Sequence, residues 1–535
     1  MDALHYHLLM ILSLLFVVFM LCLASEKFKI SRPILLLIGG LAISLLPRVP
    51  HIAIDPELIF LIFLPPLLYE GAWNMPWQHL WKRKRTVSLL AVGLVIFTST
   101  VVAFFCKSFV PGFTLAMGFV LGGIISPTDA VSAASVLKEE RVPRRVQTIL
   151  EGESLLNDAA GLIVLRFALA AVLSGQFSLN KAVGEFLLVT LMGIAIGLAV
   201  AFVIYFIYRM LPNRPDIDTS LSLMSPYMLY VTAEYFNVSG VMAVVSGGLL
   251  LSTQSHRFLD YESRTQSHHV WATISFLLNS FVFLLIGLQL PIVVDSLDRS
   301  DALDDAIYYG IIISLLTLVL RFAWVYPAIF LPRLLSKRIR QKEKNPGKRA
   351  AFLISWAGMR GIVSMAAALS IPLALSDGTA FPHRNMILFI TFVVILFTLL
   401  VQGLGLPFVI RNLKLREFEP AIPTENQEIH LRIHLSNAVT RYIDETYPTV
   451  ADNTRRLVDN LRTYYQDNVV VLSNHLESGA EIPEQDSNYH EILINVIQIQ
   501  RRELIYMQRQ MKYDTDLLRK YHALLDLEES KIKMQ

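Results

Sequence analysis

The most constraining feature of this chain is a succession of long apolar segments that occupies residues 1–411. Hydrophobic residues make up 54% of the 535-residue sequence, and charged residues only 17%. Because soluble domains carry about 25% charged residues, much of this chain must face lipid. A helix needs about 20 mainly apolar residues to cross the hydrocarbon core of a bilayer. The sequence therefore predicts an all-α, polytopic membrane protein.

We count thirteen candidate transmembrane segments by this criterion. The first is expected to be a retained helix and not a signal peptide, because no Lys or Arg precedes its apolar run and no clear cleavage site follows it. The segments lie near 6–25, 31–47, 55–73, 86–106, 112–137, 146–174, 181–209, 217–236, 239–252, 268–292, 304–331, 350–374 and 384–411.

Lys and Arg residues in the connections predict how the chain is oriented. Alternate connections hold 23 of these residues on one side of the membrane and five on the other. The more basic side of a membrane protein faces the cytoplasm. We therefore expect the N-terminus outside and the C-terminus in the cytoplasm. The lack of long terminal extensions favours a bacterial plasma membrane, that is, the inner membrane, as the location.

Residues 412–535 differ in composition from the rest of the chain. They carry 15 Lys and Arg and 20 Asp and Glu without a long apolar run, and their apolar residues recur at helical spacing. The sequence thus predicts two domains, a transmembrane domain at 1–411 and a cytoplasmic helical domain at 412–535 with breaks near Pro448 and Pro483. A solvated bundle or dimer contact and a regulatory domain both fit this tail, and its partner is unknown.

The composition also indicates which kinds of partner the chain does and does not bind. A net charge of +3 is too small to indicate nucleic acid, so membrane lipid is the expected surrounding. Cys22 and Cys106 both lie within apolar runs and form no metal-binding spacing, so we interpret them as core thiols.

The fifth segment contains L-G-G-I-I-S-P-T-D-A-V-S-A at 121–133. Pro127 lacks a backbone donor and clashes with the preceding turn, so the helix should break near Ser126–Thr128. An unwound stretch within a membrane frees carbonyl oxygens and helix ends that bind small cations. Asp129 follows this break and is a candidate ligand there. It could equally cap the second half-helix, and the two roles are compatible.

The sixth segment opens with E-G-E-S-L-L-N-D-A-A-G at 151–161. Glu151, Ser154 and Asp158 fall within one helical stripe, and Asn157 borders it. Asp158 lies well inside the apolar length, with no Lys or Arg within a turn of it. A carboxylate buried without a counter-charge takes up a proton more readily than one in water. Such a group holds either a proton or a cation, and this competition suffices for exchange if access alternates between the two sides.

Two arginines lie deep in later segments. Arg360 stands between glycines in G-M-R-G at 358–361, a second expected break, where it could offset the dipoles of the half-helices. This twelfth segment follows the fifth by seven, as two inverted six-helix repeats with crossed broken helices and one linker helix would require. Arg321 is alone in the eleventh segment, and a buried Arg needs a carboxylate partner, for which Glu153 is our choice. Glu70 follows a double proline in the third segment and either lines the ion path or ends that helix.

These motifs resemble the cation/proton antiporter superfamily, in the branch of bacterial NhaP-type proteins and animal sodium/proton exchangers. The resemblance covers about residues 5–411 and is specific because the motifs occur together, in this order and spacing. The motifs are S-P-T-D-A-V at 126–131, E-G-E-S-L-L-N-D-A at 151–159, A-E-Y-F-N-V-S-G-V-M-A-V-V-S-G-G at 233–248 and G-M-R-G at 358–361.

The resemblance implies a homodimer of thirteen-helix protomers in which a core part moves like an elevator against a dimerisation part. It implies sodium transport and pH homeostasis, with Asp158 as carrier of cation and proton and Glu153–Arg321 as an interhelical salt bridge. The Asn157–Asp158 pair resembles the electroneutral, one-for-one branch. The supporting residues that the resemblance implies are Thr128, Asp129, Ser154, Asn157 and, along the path, Glu70.

A protease, a channel and a scaffold fit this sequence less well than a transporter does. An intramembrane aspartyl protease would pair Asp129 with Asp158, but neither has the Tyr-Asp or Gly-x-Gly-Asp context of such enzymes. A cation channel would need a ring of ligands around a symmetric pore, and a pure scaffold would not need four segments with buried charges. We therefore expect a transporter and not an enzyme, without a cofactor beyond the transported ions. Sodium is the expected cation, and lithium and potassium are possible alternatives to it. A potassium-selective cation/proton antiporter is the alternative function.

Overall fold

The computed structural model describes most of the membrane part and portions of the tail. The first part of the predicted third segment, and Pro448 and Pro483 of the tail, lie outside the described residues. The described residues are 3–28, 31–45, 61–75, 77–129, 132–133, 137, 140, 142–174, 179–210, 212, 214–295, 297, 300–342, 346–375, 379–414, 424–447, 452–478, 494, 496–502, 524–525 and 527–530.

All regular elements of the described residues are helices. The one β-type pairing among these residues is an isolated antiparallel bridge between Ala374 and Ala380. Two of the helices contain a π-helical segment, one at Leu89–Leu94 and one at Thr398–Gly403. In chain order the helices are α1 (Ala3–Phe28), α2 (Arg32–Ser44), α3 (Leu64–Asn74), α4 (Trp77–Lys82), α5 (Lys84–Phe109), α6 (Leu115–Ile125), α7 (Arg144–Ser174), α8 (Leu179–Met210), α9 (Pro215–Tyr235), α10 (Gly240–Phe258), α11 (Tyr261–Leu288), α12 (Leu290–Asp295), α13 (Ser300–Leu335), α14 (Lys337–Lys342), α15 (Gly347–Trp356), α16 (Ile362–Leu369), α17 (Arg384–Leu413), α18 (Thr424–Thr446) and α19 (Asp452–Ser478).

Six of the described helices are long and apolar enough to cross a membrane: α5, α7, α8, α11, α13 and α17. Shorter apolar helices lie at Arg32–Ser44, Leu115–Ile125 and Gly240–Ser255. The all-helical, multi-spanning fold class predicted from the apolar segments is therefore confirmed. The count of thirteen helices and the two inverted repeats stay predictions.

Two apolar segments break where the sequence places helix-incompatible residues. The fifth segment stops being helical at Ile125, just before Pro127, because proline supplies no backbone donor there. The twelfth segment is divided between α15, which ends at Trp356, and α16, which begins at Ile362. The non-helical residues between these two helices include both glycines that flank Arg360. Each break leaves backbone polar groups that other parts of the protein must satisfy.

Close helix crossings hold the membrane part together. Around the first break, a Cβ atom on Gly161 would lie 2.3 Å from Cγ of Pro127, and one on Gly123 would lie 2.9 Å from the backbone nitrogen of Leu165. Small residues allow helix backbones to approach to this degree in a membrane, where van der Waals packing drives association. The broken segment therefore lies directly on α7, the helix that carries Glu153 and Asp158.

The chain divides into two compact units, Met1–Arg416 and Glu417–Gln535. In the second unit, α18 and α19 pack against each other, and Arg462 of α19 forms an ion pair with Asp444 of α18 at 2.8 Å. Ile429 and Ile443 are buried on α18. The domain boundary expected from composition at residue 411 stays a prediction.

We expect Gly287→Ala to destabilise the protein, because α2 and α11 cross backbone to backbone at this residue. A Cβ atom on Gly287 would lie 2.4 Å from the carbonyl oxygen of Leu37 and 2.7 Å from the nitrogen of Leu41, and backbone atoms cannot yield as a flexible side chain can. Overpacking of this kind costs about 1–3 kcal/mol. The melting temperature in detergent should fall.

The matched control is Gly184→Ala in α8, where a Cβ atom would meet nothing within 4 Å. Alanine is the better helix former by about 1 kcal/mol, so this variant should melt at the wild-type temperature or above it. Equal melting temperatures for the two variants would contradict the close crossing.

Candidate functional site

The two broken segments meet at Asp129. Its backbone nitrogen donates a hydrogen bond to the carbonyl oxygen of Met359 at 2.7 Å, so a freed carbonyl of one break is satisfied by the other. The Asp129 carboxylate lies against Gly361, where a Cβ atom would come 2.3 Å from Oδ2. Only glycine permits this approach. Ser132 Oγ donates to the same Oδ2 at 2.7 Å. Residues 130 and 131 lie outside the described residues, so helix capping by Asp129 stays a prediction.

Asn157 of α7 fastens the first break to this helix. Its Nδ2 donates to Oγ1 of Thr128 at 2.8 Å and to the Thr128 carbonyl at 3.4 Å. Thr128 Oγ1 in turn donates to Oε1 of Glu153 at 3.3 Å. All three side chains are buried. Oδ1 of Asn157 is buried without a hydrogen-bond partner among the described residues, so one amide oxygen at the crossing remains able to accept a hydrogen bond or to bind a cation.

Asp158 lies next to Asn157 on α7 and is 8% exposed. In the described part of the chain it forms no ion pair with Lys or Arg, although Asp129 is near enough to act on it electrostatically. Its carboxylate is therefore buried without a compensating positive charge, a costly arrangement that persists only where the charge has a use. Ser154, one turn earlier on the same face, is half-buried.

Arg321 of α13 and Glu153 of α7 form a buried ion pair in which both side chains are 1% exposed. Nη1 of Arg321 contacts Oε1 of Glu153, and Nη2 donates to Oε2 at 2.9 Å. Nε and Nη2 also donate to the carbonyl of Ile354, at 3.2 and 3.0 Å. A Cβ atom on Gly358 would come 2.3 Å from Nε, so this glycine admits the guanidinium. The pair links α7, α13 and α15.

Arg360 lies between the two breaks and is 2% exposed. Its Nε donates to the carbonyl of Ile125, the last residue of α6, at 3.0 Å, and its Nη1 contacts the Gly358 carbonyl just beyond α15. Its positive charge thus stands at the C-terminal ends of two half-helices, where the helix dipoles are negative. Its backbone nitrogen donates to Oγ1 of Thr398 at 3.1 Å. Arg360 is engaged with carbonyl oxygens, and no described carboxylate accepts a hydrogen bond from it.

Glu70 is half-buried on α3 and accepts a hydrogen bond from Nδ2 of Asn74 at 2.7 Å. Because α3 continues to Asn74, Glu70 does not end the helix, and this alternative from the sequence is wrong. Its neighbour Gly71 faces Leu155, the residue after Ser154, with a Cβ-to-Cδ1 distance of 3.5 Å. Glu70 therefore lies on a helix that contacts α7 at the level of the site.

Three contacts at the site are not predicted by the sequence. Ser132 bonds Asp129, Thr398 accepts from the Arg360 backbone, and Gly361 makes room for the Asp129 carboxylate. Thr398 gave the clearest signal, since T-L-L-V-Q-G at 398–403 is a polar interruption of a long apolar run. Only the folded arrangement shows which break it serves.

Comparison with known proteins identifies the family. The model of the transmembrane sodium/hydrogen exchanger family matches residues 11–412. The chain belongs to the sodium/hydrogen exchanger family. This finding confirms the resemblance drawn from the motifs, and it identifies a multi-pass membrane protein of a transporter family. The family and its members named as antiporters support cation/proton antiport.

Individual relatives agree with this assignment. A sodium/proton exchanger of Mycobacterium bovis, named as uncharacterized, is 31% identical over 99% of this chain and 96% of its own length. The sodium, potassium, lithium and rubidium/proton antiporter of Bacillus pumilus is 35% identical over 69% of this chain and 56% of its own. The structure of the sodium proton antiporter MjNhaP1 from Methanocaldococcus jannaschii superimposes with a TM-score of 0.60 at 21% identity, over 77% of this chain and 99% of that one. This likeness shows a shared fold.

We expect Arg321→Ala to cost about 3–5 kcal/mol of stability, because it leaves the buried Glu153 carboxylate without its partner. The melting temperature in detergent should fall sharply. The control is Arg411→Ala, which removes an ion pair with Glu140 in which the arginine side chain is 72% exposed. Exposed pairs contribute about 0–1 kcal/mol. Similar melting temperatures for the two variants would mean that the Glu153–Arg321 pair is not buried in the protein.

Proposed function

We propose that the chain exchanges a monovalent cation, with sodium as the first candidate, for a proton, and that both compete for the carboxylate of Asp158. The observation that carries this proposal is the burial of Asp158 at the crossing of two broken helices without an ion pair to a described Lys or Arg. Such a carboxylate must be neutralised in transit by a proton or by a cation, and the two exclude each other. Exchange follows when this site opens alternately to the two sides.

The proposed cation ligands are all oxygens, the donors that small hard cations prefer. Asp158 supplies the charge, while Asp129, Ser154 and Thr128 line the same crossing and complete the site directly or through water. Asn157 positions Thr128, through the bond from its Nδ2 to the threonine hydroxyl. Its unpaired Oδ1 accepts from a water or binds the cation in the loaded state. Glu70, on the adjoining α3, lines the path to the site.

Sodium is favoured by the family, and a potassium-selective exchanger is the second candidate. The Bacillus pumilus relative carries four alkali cations in its name, so a broader range is consistent with this type of site. A cation channel is less well supported, because the buried polar groups gather at one crossing within a single chain and do not form a ring.

A single titrating carboxylate favours a one-for-one, electroneutral exchange. Arg321 is bonded to Glu153, and Arg360 contacts helix-end carbonyls, so neither needs to change its charge during the cycle. We propose an elevator-type movement of the part that contains α5, α6, α7, α13, α15, α16 and α17. The Glu153–Arg321 pair and the Arg360 contacts support this, because they link five of these helices, α6, α7, α13, α15 and α17, into one block.

We further propose a homodimer in a bacterial plasma membrane, with the N-terminus outside and the tail in the cytoplasm. The family resemblance supports the dimer, and the distribution of Lys and Arg supports the orientation. No cofactor is proposed beyond the transported ions, and the regulator or partner of the tail, 412–535, is left unassigned.

We expect Asp158→Asn to retain the fold and abolish exchange, because an amide neither releases a proton nor carries the charge that a cation needs. The measurement uses proteoliposomes with an imposed pH gradient and a pH-sensitive dye, to which sodium, lithium, potassium and choline are added in turn. Each addition is repeated with valinomycin and potassium clamping the voltage. One small cation, but not choline, should collapse the gradient in the wild type, and the clamp should leave the rate unchanged.

The control is Asp218→Asn, which alters a buried carboxylate of α9 that bonds Ser263 away from this crossing. This variant should still exchange. Normal cation uptake by well-folded Asp158→Asn would refute the assignment of the carrier, and a rate that follows the clamped voltage would refute the one-for-one stoichiometry.

Competition at one carboxylate also predicts the pH dependence of the apparent KM for sodium. As the pH falls through the range in which Asp158 takes up its proton, less carboxylate is left for sodium, so the KM should rise. For one competing proton the limit is about tenfold per pH unit. Initial rates over a sodium series at several pH values measure this slope. A constant KM with a falling maximal rate would indicate a separate regulatory proton, and a limit near a hundredfold would indicate two protons.

A further inference from the structure

A short helix between the third and fourth predicted segments presents an aromatic and basic surface. The helix is α4, whose Trp77 and Trp81 are 40% and 53% exposed and lie one helical turn apart with ring centroids at 5.1 Å. Nζ of Lys84 lies 3.8 Å above the Trp81 ring, and Lys82 is exposed at the end of the helix. We call Trp77, Trp81, Lys82 and Lys84 the Trp–Lys patch.

The opposite side of α4 is fixed to the transport helix. Leu80 is buried, and its Cδ1 would lie 2.7 Å from a Cβ atom on Gly152 of α7, beside the side chain of Val87. Gly152 immediately precedes Glu153. The exposed tryptophans are therefore not loosely held loop residues, because the helix that carries them is anchored through Leu80 and presents them in one orientation.

The chemistry of this surface matches one kind of partner. Exposed indole rings favour the boundary between lipid headgroups and acyl chains, where the ring is apolar and its N–H meets water. Four consecutive basic residues, Lys82 to Arg85, follow at once on the side predicted to be cytoplasmic. Basic clusters immediately next to a membrane helix on that side attract anionic lipids. A soluble phosphate compound would use the charges but leave the two indoles in water.

We propose that the Trp–Lys patch binds the headgroup of an anionic phospholipid, with the indoles of Trp77 and Trp81 at the acyl boundary and the ammonium groups of Lys82 and Lys84 on the phosphate. None of the four patch residues is a proposed cation ligand, and occupation of the patch does not depend on the identity of the transported ion.

The test measures quenching of tryptophan fluorescence in proteoliposomes by brominated lipid. The protein is reconstituted in phosphatidylcholine with an equal part of phosphatidylglycerol, and bromine is carried on the acyl chains of one lipid or of the other. Brominated phosphatidylglycerol should quench more strongly than brominated phosphatidylcholine. The Trp77→Phe/Trp81→Phe variant identifies which part of the quenching comes from the patch, since four tryptophans remain.

Lys82→Gln/Lys84→Gln should remove the preference for the anionic lipid. Each lysine that is replaced should lower the relative affinity for phosphatidylglycerol over phosphatidylcholine by roughly fivefold, the fold-change equivalent to about 1 kcal/mol. Lys84→Arg should keep it. The matched control is Lys337→Gln/Arg338→Gln on α14, two exposed cations on the same predicted side without an exposed tryptophan nearby in sequence. Equal losses in the two charge variants would reduce the effect to general attraction and overturn the proposal. So would a preference that inorganic phosphate abolishes at constant ionic strength, or equal quenching by the two lipids in the wild type.

Discussion

The buried ion pair between Glu153 and Arg321 is the interaction on which the rest of the site depends. Taking two charges out of water is costly, and the pair is tolerable because each partner makes further bonds: Thr128 donates to Glu153, and Arg321 donates to the Ile354 carbonyl. The guanidinium thereby fixes α7, α13 and the end of α15 relative to one another. Since α15 leads directly into the second break, the bond from Arg321 of α13 to Ile354 of α15 helps to fix the position of that break.

Side-chain hydrogen bonds also connect the π-helical segments to helices around the site. Each π segment changes the hydrogen-bond register of its helix, and a tryptophan donates to a carbonyl within each. Trp324 Nε1 donates to Leu89 at 2.9 Å, and Trp356 Nε1 donates to Gln402 at 3.1 Å. Trp324 stands one turn after Arg321, and Trp356 is the last residue of α15. The elements around the site are thus coupled by directional bonds as well as by packing, as a block that moves as one body would need.

Much of this arrangement was accessible from the sequence because membrane burial makes each polar residue informative. Pro127 and the glycines around Arg360 predict the breaks. The isolated Arg321 predicts a buried carboxylate partner, and in the structure Glu153 lies beside it. Other features were not accessible. Neither π segment has a sequence that distinguishes it from an ordinary α-helix, and the role of Thr398 depends on the backbone nitrogen of Arg360, which it meets only in the folded chain. The end of α3 at Asn74, one turn past Glu70, was not accessible either, because both prolines lie in the first turn of this helix, where proline is tolerated and sets no limit on its length.

Three carboxylates lie close together at the crossing, and their partners separate their roles. Glu153 is neutralised by Arg321, and Asp129 receives a hydrogen bond from Ser132 and packs on the Gly361 backbone. Asp158 has neither a guanidinium nor a lysine bonded to it among the described residues. The two arginines buried in these segments are occupied, Arg321 by Glu153 and Arg360 by the carbonyl ends of the half-helices. If either arginine turned to Asp158, the carboxylate would be permanently neutralised and could exchange nothing. In the proposed exchange the ion pair has a second effect besides stability, because Arg321 is held on Glu153 and the carboxylate of Asp158 is left for the proton and the cation.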